Sequence, residues 1–234
     1  MKKFYMFLYF VSLGILVMSQ NNNNADNVEL YKDYREDQFY ASVTYNLLNN
    51  RPNGVSQNGF SSGFHLGFIR DMPINKRRNL AIGLGLGLSS NSYNQNISIL
   101  EIDDAIIFNI IDEREINVSK NKFTSYLVEF PLEFRWRTSS ASQYNFWRIY
   151  TGFKLGYVLY NSAKFKSDNG NQTLSNIDDF DKIQYGLTLS VGYDTWNFHL
   201  YYGLNPIFNG DNAVINDNAI DTTALKIGLM FYIL

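Results

Sequence analysis

The 234-residue chain has no cysteine, two histidines, four prolines and no basic run or stripe. Without cysteine it can form neither disulfides nor a lipidated cysteine at its N-terminus. The lack of a basic stripe removes the footprint expected of a nucleic-acid binder. No metal-ligand spacing is present. The run GLGLG from Gly83 to Gly87 has no helix after it, so it is not a phosphate cradle. Neither a cofactor nor a small-molecule substrate is indicated.

The one long apolar run lies at the start. Lys2 and Lys3 precede Phe4 to Met18, and small or polar Ser19 and Gln20 follow. A spanning helix needs roughly 20 apolar residues, so this shorter run reads as a secretory signal at 1–19. It is followed by an N-terminal periplasmic segment at 20–36 and one domain at 37–234. Removing Lys2 and Lys3 leaves 18 basic against 22 acidic residues, a net charge of −4. The mean hydropathy of −0.22 is too polar for a helical bundle. It does not argue against a membrane barrel, whose strands alternate lipid-facing and lumen-facing residues.

What the chain does have is period-two alternation. In FTSYLVEFPLEFRWR, residues Tyr126, Val128, Phe130, Leu132, Phe134 and Trp136 share one face, and Glu129, Glu133, Arg135 and Arg137 share the other. Eight such segments can be drawn: 39–48, 60–71, 79–90, 123–137, 146–162, 183–193, 197–205 and 222–234. Most reach the roughly 9 to 11 residues of a tilted transmembrane strand, whereas soluble strands are nearer 5 to 6. Leu80, Ile82, Leu84, Leu86 and Leu88 alternate with Ala81, Gly83, Gly85, Gly87 and Ser89, large residues on one face and small on the other. A small barrel with a crowded interior needs that arrangement.

The connections alternate as well. Those at 71–78, 138–145 and 194–196 are short and rich in turn-forming residues, while those at 49–59, 91–122, 163–182 and 206–221 are long. Outer-membrane barrels have brief periplasmic turns and longer loops on the far side. Trp136, Trp147 and Trp196 all fall at the short-turn rim and read as an aromatic girdle. The expected architecture is therefore all-β: an eight-stranded antiparallel up-and-down transmembrane β-barrel of outer-membrane type, with periplasmic termini.

Three features bear on function. Glu129, Glu133, Arg135, Arg148, Lys154 and Lys226 point to a narrow interior, where unpaired charge is costly. Glu129 or Glu133 is expected to pair with Lys154 or Arg148 as a salt-bridged plug, with Lys226 one layer further away; a gated path or a protein-binding switch is the alternative. His65 and His199 fall on inner faces and read as structural, although a lipid-acting barrel enzyme would pair His65 with a residue such as Ser61. The isoleucine-rich stretch within 91–122 is too apolar for a floppy loop, and reads as a self-packed cap or a partner surface.

YLVEFPLEFRWR from Tyr126 to Arg137 resembles a pattern of the PorT family of outer-membrane β-barrels in Bacteroidetes. REDQFY from Arg35, GFHLGFIRDMPIN from Gly63 and RNLAIGLGLG from Arg78 are similar to that family's early strands. The resemblance implies a part in type IX protein secretion, with outer-membrane lipid and the proteins of a secretion assembly as partners. On this reading the chain is not an enzyme. Two alternatives remain: a barrel enzyme acting on lipid, and a soluble lipocalin-like carrier with large apolar residues inside. Pro131 sits mid-strand and removes a ladder donor, so a bulge or a lost bond is expected there.

Overall fold

The computed structural model describes residues 37–111, 116–138, 146–168, 170–209, 213–215 and 218–233. The expected signal at 1–19 and the segment at 20–36 lie outside the described residues. Thirteen strands follow in chain order: β1 (Gln38–Asn49), β2 (Ser62–Pro73), β3 (Leu80–Asn94), β4 (Ile97–Ile102), β5 (Ala105–Ile110), β6 (Val118–Arg137) and β7 (Trp147–Ser167). They continue with β8 (Gly170–Ser175), β9 (Ile183–Tyr193), β10 (Trp196–Pro206), β11 (Val214–Ile215), β12 (Asn218–Ala219) and β13 (Thr223–Ile233). No helix occurs among the described residues.

Eight of these strands are the staves of a closed barrel. The order runs β6, β3, β2, β1, β13, β10, β9, β7, and β6 pairs back onto β7. All the pairings are antiparallel. Closure leaves no free edge among the staves. The remaining five strands belong to the connections at one end, which we call the loop end; the opposite end carries the short turns.

The two faces settle the choice of solvent. Leu84, Leu86 and Leu88 are 54, 57 and 60 % exposed on the outer wall, and Leu66, Leu132, Phe134, Leu187 and Phe198 are likewise exposed around it. Inside are Gln38, Ser42, Thr44, His65, Glu129, Arg135, Lys154, Thr188 and Lys226, all buried. An apolar belt of this extent cannot be left in water. It also overturns the lipocalin-like alternative, because the large apolar residues are outside.

Glycine makes the interior fit. A Cβ at Gly67 would lie against the Tyr40 ring, and one at Gly83 would come within 2.7 Å of Arg135 Nε. Tyr40 and Arg135 thus lie over glycines of neighbouring strands, the small-against-large rule of narrow barrels.

Two irregularities fall on the β6 strand. The β3–β6 ladder pairs Leu84 with Leu132 and resumes at Gly87 with Glu129, skipping Phe130 and Pro131 without a change of register. Proline's missing N–H interrupts the ladder on that side, while Pro131 remains opposite Lys154 on the β7 side. The register shift lies four residues further up, between Tyr126 and Leu127, where Leu159 of β7 is the extra residue. Leu159 and Tyr160 both face outward in consequence, as a bulge requires.

The loop end is covered by its own core. Val55, Ile97, Ile99, Phe108, Ile177, Phe180, Ile207, Phe208, Ile215 and Ile220 come from all four long connections and are buried together. Phe208 meets Phe180 at a tilt and Phe123 and Phe108 edge to face, with ring centroids 4.8, 5.2 and 5.5 Å away. The stretch 91–122 contributes a hairpin, β4–β5, turned by Asp103 and Asp104 at φ 52° and 63°. Positive φ at both central residues is the type I′ geometry, which Asp tolerates. Its buried Ile97, Ile99 and Phe108 make this stretch a cap on the barrel.

Candidate functional site

The interior charges sort into two clusters along the bore. Nearer the turn end, Arg137 donates from Nη1 and Nη2 to the two oxygens of Asp71, each at 2.8 Å. Its Nε and Nη2 also donate to the Arg78 carbonyl at 3.1 and 2.8 Å. Arg135 Nη1 reaches Asp71 Oδ1 at 3.1 Å, and Arg135 Nε reaches Glu133 Oε2 at 3.0 Å. The Arg135 guanidinium lies 4.6 Å from the centroid of the Tyr150 ring and 5.7 Å from that of Tyr232. Planar guanidinium suits this combination of bidentate pairing and stacking better than lysine would.

Closer to the middle, Glu129 is shared by two partners. Its Oε1 lies 3.0 Å from His65 Nδ1, and its Oε2 lies 3.0 Å from Lys154 Nζ. The lysine contact is ionic without a well-aligned hydrogen bond. Glu129 and Lys154 sit diagonally across the β6–β7 ladder, where Glu129 faces Gly156 and Lys154 faces Pro131. Lys226 forms no salt bridge with a described residue; its Nζ stands 4.8 Å from the centre of the Tyr201 ring, a cation–π contact. Arg148 lies 4.4 Å from the Phe146 ring and donates to the Asp194 carbonyl, so it points to the turn end and away from Glu129.

Asp71, Arg137 and His65 are central to these clusters but were not assigned to the network by sequence reasoning. Asp71 looked like the start of a turn; it is one of the alternating inner positions of β2, together with Gly63, His65 and Ile69. That parity was the available signal.

The histidines are buried and face inward. His65 meets Glu129 and, at 3.4 Å, Thr44 Oγ1. His199 Nδ1 lies 2.8 Å from Ser190 Oγ, which in turn accepts from Tyr232 Oη at 3.4 Å. Ser61 is not beside His65; its hydroxyl accepts from the Asn94 backbone N–H at 2.9 Å. No group of three metal-ligating side chains occurs among the described residues.

On the outer wall, Trp147 and Trp196 flank Tyr193, which pairs with both in the ladder, and Trp136 lies between Leu80 and Ile149. All three are at the turn end, with Trp147 and Trp196 more than half exposed. Phe39, Phe68 and Phe231 extend this rim: Phe39 and Phe68 stand 5.1 Å apart, Trp196 and Phe231 5.0 Å. Nearer the loop end a second band is formed by Tyr45 with Phe60 and Tyr126 with Tyr160, which the sequence reading had not singled out. Aromatic pairs thus border the apolar wall near both of its ends.

A family model described as "Outer membrane protein beta-barrel domain" matches residues 9–209. The chain belongs to this outer-membrane β-barrel family. Among solved structures it is similar to Ail, the attachment invasion locus protein of Yersinia pestis, crystallised with the heparin analogue sucrose octasulfate. That match has 17 % identity over 84 % of this chain and 99 % of the other, with a TM-score of 0.33. A second Ail structure gives 16 % identity over the same shares and a TM-score of 0.29. A Rhodopseudomonas blastica porin triple mutant gives 10 % identity over 86 % and 100 % of the two chains, with a TM-score of 0.22. No curated protein matches the chain. The eight-stave closure of this outer-membrane barrel rests on its own strand pairing.

Proposed function

We propose that this barrel is a non-conducting, non-enzymatic scaffold or accessory component of a type IX-like protein secretion assembly, with its turns and termini in the periplasm and its capped end outside. The observation that carries this reading is that the bore is shut twice. The clusters around Asp71 and Glu129 fill it from within, and the Phe208 cap covers its loop end. Eight staves leave room only for side chains, so a substrate path through the barrel is disfavoured. A barrel that neither conducts nor exposes a catalytic dyad acts through its surfaces. The type IX assignment comes from the resemblance of YLVEFPLEFRWR and the early strands to the PorT family. Both histidines face inward, which counts against an enzyme working on membrane lipid.

Deletion in the native host should stop export of secreted proteins to the medium while leaving the outer membrane intact. Unchanged export would remove the secretion assignment. Since the chain has no natural cysteine, Asp104→Cys or Lys76→Cys introduces a lone thiol at the loop or turn end. An impermeant maleimide on whole cells should label the first and spare the second; the reverse pattern would invert the proposed orientation.

A further inference from the structure

The outer wall changes composition in steps where β6 and β7 rise past the apolar belt. At the first step Tyr126 faces Tyr160, with ring centroids 5.8 Å apart. One step higher, Ser92, Thr124, Ser162 and Ser175 lie side by side on β3, β6, β7 and β8. Thr124 Oγ1 donates to Ser92 Oγ at 3.3 Å, and Tyr160 Oη lies 2.8 Å from Ser175 Oγ. The next two steps are lysine against lysine: Lys122 opposite Lys164, then Lys120 opposite Lys166.

Directly opposed like charges weaken a sheet. Here two such pairs are stacked, and none of the four lysines makes an ion pair with a described residue. Their ladder neighbours Asn94, Thr173 and Asn171 are uncharged. Asp168, two residues beyond Lys166, forms no bridge to it. Phe123 and Ala163, which follow Lys122 and precede Lys164 respectively, are buried in the cap, so the lysines face outward, in line with Tyr126 and Tyr160. Among the described residues no acidic side chain neutralises these four cations.

We propose that this face binds the headgroup of a bisphosphorylated glycolipid in the leaflet at the loop end. Cross-strand spacing of about 5 Å and a rise of about 7 Å per two residues give a patch the size of one headgroup. Four cations call for more than the single charge of a phosphodiester lipid; two phosphate monoesters supply it. Exposed Ser175 and half-buried Ser92 and Ser162 meet sugar hydroxyls, buried Thr124 serving to fix Ser92, and the acyl chains lie along the apolar wall below Tyr126 and Tyr160. The proposal rests on the membrane reading above, but not on the secretion role.

The test is lipid binding to the full barrel in detergent, followed by native mass spectrometry. The probes are bisphosphoryl lipid A, monophosphoryl lipid A, phosphatidylglycerol and inorganic phosphate. Bisphosphoryl lipid A should bind best, and Lys120→Gln/Lys122→Gln/Lys164→Gln/Lys166→Gln should weaken it about tenfold or more. The corresponding four Lys→Arg changes should retain binding, and Lys76→Gln/Arg77→Gln at the turn end should leave it unchanged. Equal binding of phosphatidylglycerol, competition by free phosphate alone, or no loss in the four-glutamine variant would overturn the proposal. If that variant fails to fold, the exposed pair Lys120→Gln/Lys166→Gln gives the reading. Detergent binding does not depend on orientation or export, so its failure is distinguishable from failure of the functional reading.

Discussion

Arg137 grips Asp71 with both ends of its guanidinium, 2.8 Å to each carboxylate oxygen, and the same carboxylate takes a third bond from Arg135. Asp71 thus serves two buried cations at once, and Arg135 holds Glu133 as well. Asp71→Asn should be costly beyond its size, because it leaves both arginines short of charge where water is scarce. Breaking a buried pair from one side costs about 3 to 5 kcal/mol. The temperature at which the folded band disappears on heated detergent gels should drop clearly. An unchanged temperature would mean that the cluster contributes nothing to barrel stability.

Glu129 stands in the same relation to Lys154 and His65. Glu129→Gln keeps the shape but leaves Lys154 and Lys226 in one bore without their nearest carboxylate. Lys154→Met alone should be milder, and Glu129→Gln/Lys154→Met should recover part of the loss. A coupling of about 0.5 to 3 kcal/mol is expected from the double-mutant cycle. Additive effects, measured by urea unfolding in lipid vesicles, would argue that the two residues merely sit near one another.

The staves were legible because parity is simple where one face meets lipid. Leu80 to Leu88 and Ile183 to Tyr193 kept their faces through the whole band. Above the band the code reverses. Phe123 and Ala163 turn inward to the cap while Lys122 and Lys164 turn out, so β6 and β7 continue as strands though the outer face is no longer apolar. Segments drawn from an oily outer face therefore stopped near Phe123 and Ser162. The Leu159 bulge was invisible for a related reason: inserting one residue shifts parity without leaving a compositional mark. Within the site, the Glu129–Lys154 contact joins neighbouring strands, whereas Arg137 with Asp71 and His65 with Glu129 span β2 to β6 with β3 between. Such pairs depend on how long side chains cross a bore, which periodicity does not encode.

Glycine substitutions should discriminate close backbone contact from mere small size. A Cβ at Gly152 would overlap the Leu132 carbonyl and come within 2.8 Å of Glu133 Cα; at Gly228 it would overlap the Val43 carbonyl and lie 2.7 Å from Thr44 Cα. These obstacles are backbone, which cannot rotate away. Gly152→Ala and Gly228→Ala should force the staves apart and lower the yield of heat-modifiable barrel. At Gly156 the nearest atom is the Leu127 side-chain Cδ2, at 2.9 Å, so Gly156→Ala should be better tolerated. Equal yields from all three would show that the inner wall has slack.

The two closures of the bore should act independently. Excising the β4–β5 hairpin at the Asp103–Asp104 turn, with a short Gly-Ser link from Asn96 to Ile111, removes Ile97, Ile99 and Phe108 from the cap. The interior clusters remain, because the ion pairs of Arg135, Glu133, Asp71, Glu129 and Lys154 are made among residues of the staves themselves. Planar-bilayer recordings should therefore stay silent for both wild type and the excised form, while protease sensitivity at the loop end rises. Steady conductance on loss of the cap alone would place the seal in the loops and leave the charge clusters as lining of a pore. Conductance appearing only when Glu129→Gln or Asp71→Asn is added to the excision would locate the inner gate at those carboxylates.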